Sequence, residues 1–405
     1  MTAPPRTPSP RCFTFISSNH SWGGSEELWS AAAAVLAERG HRIRVLKSTL
    51  EPSEPRVQKL QSLGCELKDL AGIPCLPNSV FARLKKVARP LTYVVEAVRL
   101  LLALWLSQRP DLVVLSQGGN FDGWLQGMVC RRQQLTYALV IQKATDLYWP
   151  SDSQRMSLQR MYRDACWSFF VSEHNRRLTQ EQLAIALPRS SVVRNPYLVP
   201  AAQRTDWPDD RGGVRLACIG RLYLREKGQD LLLRVLARDK WRARPVSVTF
   251  YGAGDQRRGL EEMASFLKLT SVHFGGFVRD VSAIWDTHHG LVLPSRCEGL
   301  PLVAVETMLS SRVPILTDVG GARELVDDEV SGFVAAAPTE DAVDDALERA
   351  WQRRSEWRAI GAVARERARA AVPVDPAATF ADLLEQLASQ TAPVGVGLEP
   401  CVSAD

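Results

Sequence analysis

Short apolar runs alternate with amphipathic stretches along most of this chain, in two successive series. In the first series, residues 11–17, 43–47, 112–115, 138–142, 167–171 and 192–193 read as strands. Helical spacing is predicted from about 25 to 39, after the loop SQGGNFDG, and from about 173 to 182. In the second, strands are predicted at 215–219, 246–251, 272–274, 291–293 and 313–317. The helices between and after them fall at 229–237, 260–267, from near Pro301, after Gly320-Gly321, and near 341–352, 356–370 and 377–388. Strands that are apolar throughout suit a sheet covered on both faces, and strand–helix alternation makes that sheet parallel. Residues 197–213, YLVPAAQRTDWPDDRGG, show no periodicity and punctuate the pattern with Pro, Asp and Gly, as a linker does. The fold class predicted is α/β, two doubly wound Rossmann-like domains facing each other across a cleft. The division is a flexible leader at 1–10, a first domain at 11–196, the linker at 197–213, a second domain at 214–372, and a loose tail at 391–405. In such a pair a ligand belongs in the cleft between the carboxyl ends of the strands.

Length, composition and charge add to this picture. The 405 residues are enough for two cores. The eight cysteines form no CxxC pair and no His-rich spacing, so reduced thiols in a cytosolic compartment are expected. The Pro-rich start lacks the apolar core of a signal peptide. The net charge of +5 conceals an asymmetry: residues 1–196 hold 25 Lys and Arg against 15 Asp and Glu, and the remainder 25 against 30. A basic first half suits an anionic partner, such as a lipid headgroup or a polyanionic acceptor; a solvated basic surface is the bland alternative. The most apolar segment, 91–106, carries Glu96 and Arg99 and is too short to span a bilayer comfortably, so a buried helix is expected. The basic residues before it, Arg83, Lys85, Lys86 and Arg89, keep a peripheral contact with anionic membrane in view.

Chemistry concentrates where strands end. Gly23 and Gly24 precede a helix, where glycine lets backbone N–H groups approach a ligand closely. Gly220 closes a strand, Arg221 stands at its carboxyl end, and Lys227-Gly228 precede a helix; cations held there suit a diphosphate. A diphosphate that leaves during reaction would meet them as its charge grows. Tyr251-Gly252-Ala253-Gly254 follows a strand but lacks a full dinucleotide fingerprint, so it is read as a turn near a nucleotide and not as NAD binding. Glu298 and Glu306 are eight residues apart around a helix start. A carboxylate can accept from both hydroxyls of a ribose, which suits Glu306, and Glu298 could meet a sugar hydroxyl. A capping Glu and a surface Glu would give the same spacing.

Taken together, GGSEE at 23–27, IGRLYLREKGQDLLL at 219–233, FYGAGD at 250–255, HFGGFV at 273–278, PSRCEGLPLVAVE at 294–306 and VGGARELV…SGFV at 319–334 resemble the nucleotide-sugar glycosyltransferases of family four. That family has the GT-B architecture and retains anomeric configuration, and the resemblance covers nearly all of 12–388. It implies that Arg221 and Lys227 bind the diphosphate and assist its departure. Glu306 would hold the ribose. Glu298, with the backbone from Gly299 through Leu300 and Pro301 to Leu302, would hold the donor sugar. Gly23 and Gly24 would approach from the first domain, Gly220, Gly252, Gly254, Phe277 and Val278 would border the donor, and helix 377–388 would return to the first domain. No cofactor and no metal would be needed, the nucleoside diphosphate sugar being a co-substrate, and no nucleic acid is expected as a partner. Asp209-Asp210 and Asp327-Asp328 fall in a linker and a turn rather than in a metal motif.

The chain departs from the family in VIQKATDLYW, where Thr145 stands in place of a His and Asp146 is kept. His20 and Lys143 are the candidate substitutes, which with Asp146 would contact the acceptor or the transferred sugar. The reading that results is transfer of a sugar to a glycan or lipid-linked acceptor, in cell-surface polysaccharide or glycoconjugate synthesis at the inner face of the membrane. A sugar phosphorylase, a nucleotide-sugar epimerase and a catalytically silent binding homologue are its rivals.

Overall fold

The computed structural model describes residues 9–20, 22–73, 89–105, 107–197 and 206–390. The start of the leader, Arg83, Lys85 and Lys86, residues 198–205 of the linker and the tail lie outside the described residues. Two all-parallel sheets carry the chain. The first contains β1 (Cys12–Ser17), β2 (Arg42–Lys47), β3 (Glu66–Asp69), β4 (Leu112–Gln117), β5 (Tyr137–Ile141), β6 (Trp167–Phe170) and β7 (Ser190–Val192), in the order β3-β2-β1-β4-β5-β6-β7. The second contains β8 (Val214–Ile219), β9 (Val246–Tyr251), β10 (Val272–Gly276), β11 (Gly290–Leu293), β12 (Val313–Thr317) and β13 (Phe333–Ala335), in the order β10-β9-β8-β11-β12-β13. These are two Rossmann-like domains.

The two-residue strand period sorts side chains onto both faces of each sheet. In the first, Phe13, Phe15, Leu112, Val114, Ala138 and Val140 enter one core cluster. Their neighbours Ile16, Val113, Leu115, Tyr137, Leu139 and Ile141 enter another on the opposite face. Strand β3 and its preceding helix Pro55–Ser62 were not predicted. β3 is ELKD at a sheet edge, where charged residues are tolerated and no apolar run marks the strand. Helix Asp152–Asp164 was missed too, because only Leu158, Met161 and Tyr162 on it are buried.

Two expectations need correction. Residues 91–105 of the apolar segment belong to helix Arg89–Trp105, which is buried on one side only: Val95, Leu100, Ala103 and Leu104 are covered, while Tyr93, Val94, Val98 and Trp105 are exposed. The helix predicted from near Pro301 starts one residue later: Pro301 is the extended residue that precedes Leu302–Leu309, with φ −69° and ψ 111°.

Helix Pro376–Gln390 packs on the first sheet, with Phe380, Ala381, Leu384 and Ala388 in its core. The Phe380 ring meets Phe169 edge-on at 5.0 Å. At the same seam Arg39 pairs with Asp382 and Glu385, and His41 Nε2 lies 2.7 Å from Glu385. His41 also accepts the Arg11 N–H through Nδ1, so it fixes the turn that it occupies.

Candidate active site

The second sheet opens where its strand order reverses. β8 pairs with β9 as far as Ile219, but with β11 only at Leu216 and Ala217. Beyond Ala217 the two central strands part, leaving a crevice at their carboxyl ends, the usual ligand position in an open α/β sheet. Gly220 and Arg221 leave β8 on one side of it, and Pro294 to Glu298 leave β11 on the other. Helix Leu224–Lys227 joins the two sides. The N–H groups of Arg296 and Cys297 donate to Glu226 O at 2.7 and 3.2 Å, and Arg296 grips Asp230 through both terminal guanidinium nitrogens. Gly228 (φ +63°) sits so close to β11's exit that a Cβ there would lie 2.0 Å from Pro294 O. Only glycine fits that contact.

The side chains in the crevice are paired. Lys227 Nζ donates to Glu298 Oε1 at 2.6 Å, and Ser295 Oγ donates to the same oxygen at 2.7 Å. Arg221 is the most exposed of the group, over the Tyr223 ring and 3.6 Å from Glu226. Burial pushes the Glu226 carboxyl upward, but the hydrogen bond and charge of Lys143, with Arg221 and Lys227, hold it below the ordinary glutamate value. Glu306 lies in the second turn of Leu302–Leu309 and is 4% exposed. Gly252 and Gly254 abut the backbone of Gly220 and Leu222, supporting the β8 exit. Val278 packs into the core beneath it, while Phe277 stands exposed.

The first domain meets this site directly. A Cβ on Gly299 would lie 1.8 Å from Gln142 O at the end of β5, and one on Gly24 would lie 3.1 Å from Leu302. Lys143 Nζ donates across the cleft to Glu226 Oε1 at 2.7 Å. Thr145 is close enough to the buried Cys297 thiol to lower it against the upward push of burial, so the residue that stands in place of the expected His faces the second domain. Arg194 and the His174 N–H both bind Glu324, at 3.0 Å. Asp146 is exposed at the rim.

Below Gly23 and Gly24 lies a fully buried ion pair, Lys47 with Glu26 at 3.1 Å. Glu26 also accepts from Ser17, Asn19 and Trp29. Removing one member of such a pair strands the other, at about 3–5 kcal/mol. The first acidic residue of GGSEE therefore anchors the glycine loop. Beside that loop, at the carboxyl ends of β1 and β2, is a cavity of about 220 Å³ whose polar lining includes His20, Ser48, Thr49, Glu96, Arg99 and Gln126. The Gln126 Oε1 is buried with no hydrogen-bond partner.

Glu226, Ser295 and Thr145 in its role opposite Cys297 were missed from sequence. Glu226 sits between Arg225 and Lys227 in what reads as helix surface, and its partner Lys143 is 83 residues away. The signal that was available is position: Glu226 directly precedes Lys227 and faces the same crevice.

Comparison with known proteins agrees with this geometry. Residues 213–353 match the family model "Glycosyl transferases group 1". Among curated relatives, the D-inositol 3-phosphate glycosyltransferase of Frankia alni is 31% identical over 182 residues, 41% of this chain and 44% of that protein. The GDP-mannose-dependent alpha-(1-6)-phosphatidylinositol monomannoside mannosyltransferase of Mycolicibacterium smegmatis is 29% identical over 216 residues, 48% of this chain and 55% of that one. The matches thus span about half the length of these relatives. Among solved structures, Anabaena HepE in complex with UDP-glucose superposes with a TM-score of 0.72 at 16% identity, covering 94% of this chain and 100% of its own. Sucrose-phosphate synthase from Thermosynechococcus elongatus gives 0.71, also at 16% identity, with the same coverage. Residues 213–353 are thus a glycosyl transferases group 1 domain, set in a chain of GT-B architecture.

Proposed function

We propose that this protein is a retaining glycosyltransferase that moves a sugar from a nucleoside diphosphate sugar to a glycan or lipid-linked acceptor. The observation that carries the reading is the convergence of Arg221, Lys227 and Glu298 at the crevice where β8 leaves β11. Two cations at strand ends suit a diphosphate, and their effect grows as the bond from the sugar C1 to the diphosphate oxygen breaks. The acceptor oxygen would bond to C1 on the same face and pass its proton to the departing phosphate oxygen, so no side-chain base and no metal is required. Glu306 would hold the ribose, and Glu298 with the Gly299–Leu302 backbone the sugar. One relative whose name specifies GDP-mannose, and a neighbour solved with UDP and with UDP-glucose, support a nucleotide-sugar donor without choosing the base.

The acceptor would enter from the first domain, through the cavity beside His20. Its hydroxyl and amide lining, with Glu96 and Arg99 of opposite charge, suits a hydroxylated group. None of the described helices is long and apolar enough to cross a membrane. The exposed apolar side of helix Arg89–Trp105 would instead rest on an anionic membrane surface at the inner face of the cell membrane, in the service of cell-surface glycan synthesis.

The test is release of nucleoside diphosphate from a panel of nucleotide sugars, with and without a membrane lipid and glycan fraction as acceptor. One donor should turn over with acceptor and give a product of unchanged anomeric configuration, and Lys227→Ala should cut the rate at least about a hundredfold. Cleavage that needs inorganic phosphate would indicate a phosphorylase, epimer formed without acceptor an epimerase, and no turnover of any donor a binding homologue. Each would overturn the proposal.

A further inference from the structure

Glu226 bridges two cations at the cleft. Its Oε1 accepts from Lys143 Nζ at 2.7 Å and its Oε2 lies 3.6 Å from Arg221 Nη2. Lys143 follows β5 of the first domain and Arg221 follows β8 of the second, so one carboxylate ties a cation from each side of the cleft. The next residue, Lys227, is held by Glu298. Three cations and two carboxylates therefore share the crevice, and each carboxylate occupies a cation that a diphosphate would need.

This arrangement is suited to exchange. A carboxylate between two cations presents the charge and acceptor oxygens that one phosphate would present, and a diphosphate presents more of both. The Lys143 ammonium has three donors on a flexible stem and can change acceptor without moving its backbone. Burial works against its charge, but its surroundings, with the Glu226 carboxylate hydrogen-bonded to it, hold the ammonium above the ordinary lysine value, so Lys143 remains a cation near neutral pH. Its backbone is held close to the site by the Gln142–Gly299 contact one residue away.

Resting on the nucleotide-sugar reading above, we propose that Lys143 is a third diphosphate-binding cation, supplied by the first domain, and that Glu226 is the placeholder which Lys143 and Arg221 exchange for the donor's diphosphate. Donor binding then turns a contact between the domains into one made through the ligand. The displaced Glu226 carboxylate stays beside the diphosphate and weakens its hold, which favours release of the nucleotide product.

A bridge that served only to fix the domains would behave differently. Removing either partner would lose the same contact and change nucleotide affinity in the same direction. Exchange predicts opposite signs.

The experiment is calorimetric titration of UDP, GDP, ADP and dTDP into the wild-type protein, Lys143→Met and Glu226→Gln, with unliganded melting curves to confirm that each variant is folded. For the nucleotide that binds the wild type, Lys143→Met should weaken binding about tenfold or more, and Glu226→Gln should tighten it. The corresponding nucleoside, which lacks phosphate, should bind all three proteins alike. Glu226→Gln is isosteric and carries the test alone if Lys143→Met does not fold. Unchanged or weaker binding by Glu226→Gln, unchanged binding by folded Lys143→Met, or an equal effect on the bare nucleoside overturns the exchange and leaves the nucleotide-sugar reading standing. Failure of all four nucleotides to bind the wild type overturns both.

Discussion

Gly299 sets how closely the two domains approach. The nearest atom to a Cβ there is a backbone oxygen, Gln142 O, at the end of a strand buried in the first sheet. A strand end cannot yield as a side chain would, so Gly299→Ala must push the Pro294–Pro301 loop or the whole domain aside. A misplacement on the order of 1 Å can cost roughly a hundredfold in rate. Transfer should therefore fall at least about tenfold in Gly299→Ala while the protein stays folded, as measured by turnover alongside a melting curve; full activity would show that the contact does not matter. At this scale the sequence was informative about residue type and silent about pairing. Arg221, Lys227, Glu298 and Glu306 stand out because charged residues at strand ends and helix starts are few. That Lys227 meets Glu298, or Lys143 meets Glu226, depends on separations of 71 and 83 residues that only the folded chain closes.

Among the elements, strands buried on both faces were the most legible, because an apolar run bounded by turn residues has few other readings. β9 and β12 fall at their predicted bounds. β3 and helix Asp152–Asp164 escaped because neither presents a continuous apolar pattern: one is a charged edge, the other a surface helix with few inward residues. Helix Arg89–Trp105 shows the opposite failure. Its composition announces burial, yet one stripe covers the sheet and another, through Val94, Val98 and Trp105 with Tyr93 beside it, faces outward. A helix that is apolar on its outer face suits a membrane interface. In sedimentation with phosphatidylglycerol vesicles, the protein should bind at low salt, bind less at high salt, and lose binding in Val98→Asp. Failure to sediment at low salt would contradict the membrane contact.

For the molecule as a whole, the arrangement of two doubly wound sheets was readable from the repeated strand–helix alternation and the Pro- and Gly-rich break between the two series. What the pattern could not convey is how the halves are joined. The last helix returns to the first sheet through Phe380 and the Arg39–Asp382–Glu385 cluster, and the cleft face is closed by Gln142–Gly299, Lys143–Glu226 and Arg194–Glu324. These contacts put the first domain's cation and glycine loop against the second domain's crevice, so a ligand bound there should tighten the whole chain. The most direct test is therefore the unfolding midpoint of the intact protein across a panel of nucleoside diphosphates and their sugars, for the wild type and for Lys227→Ala. Binding to the folded state raises the midpoint by mass action. At least one nucleoside diphosphate sugar should raise that of the wild type, its nucleoside monophosphate should raise it less, and Lys227→Ala should abolish most of the shift. A wild-type midpoint that no nucleotide or nucleotide sugar moves would contradict the account.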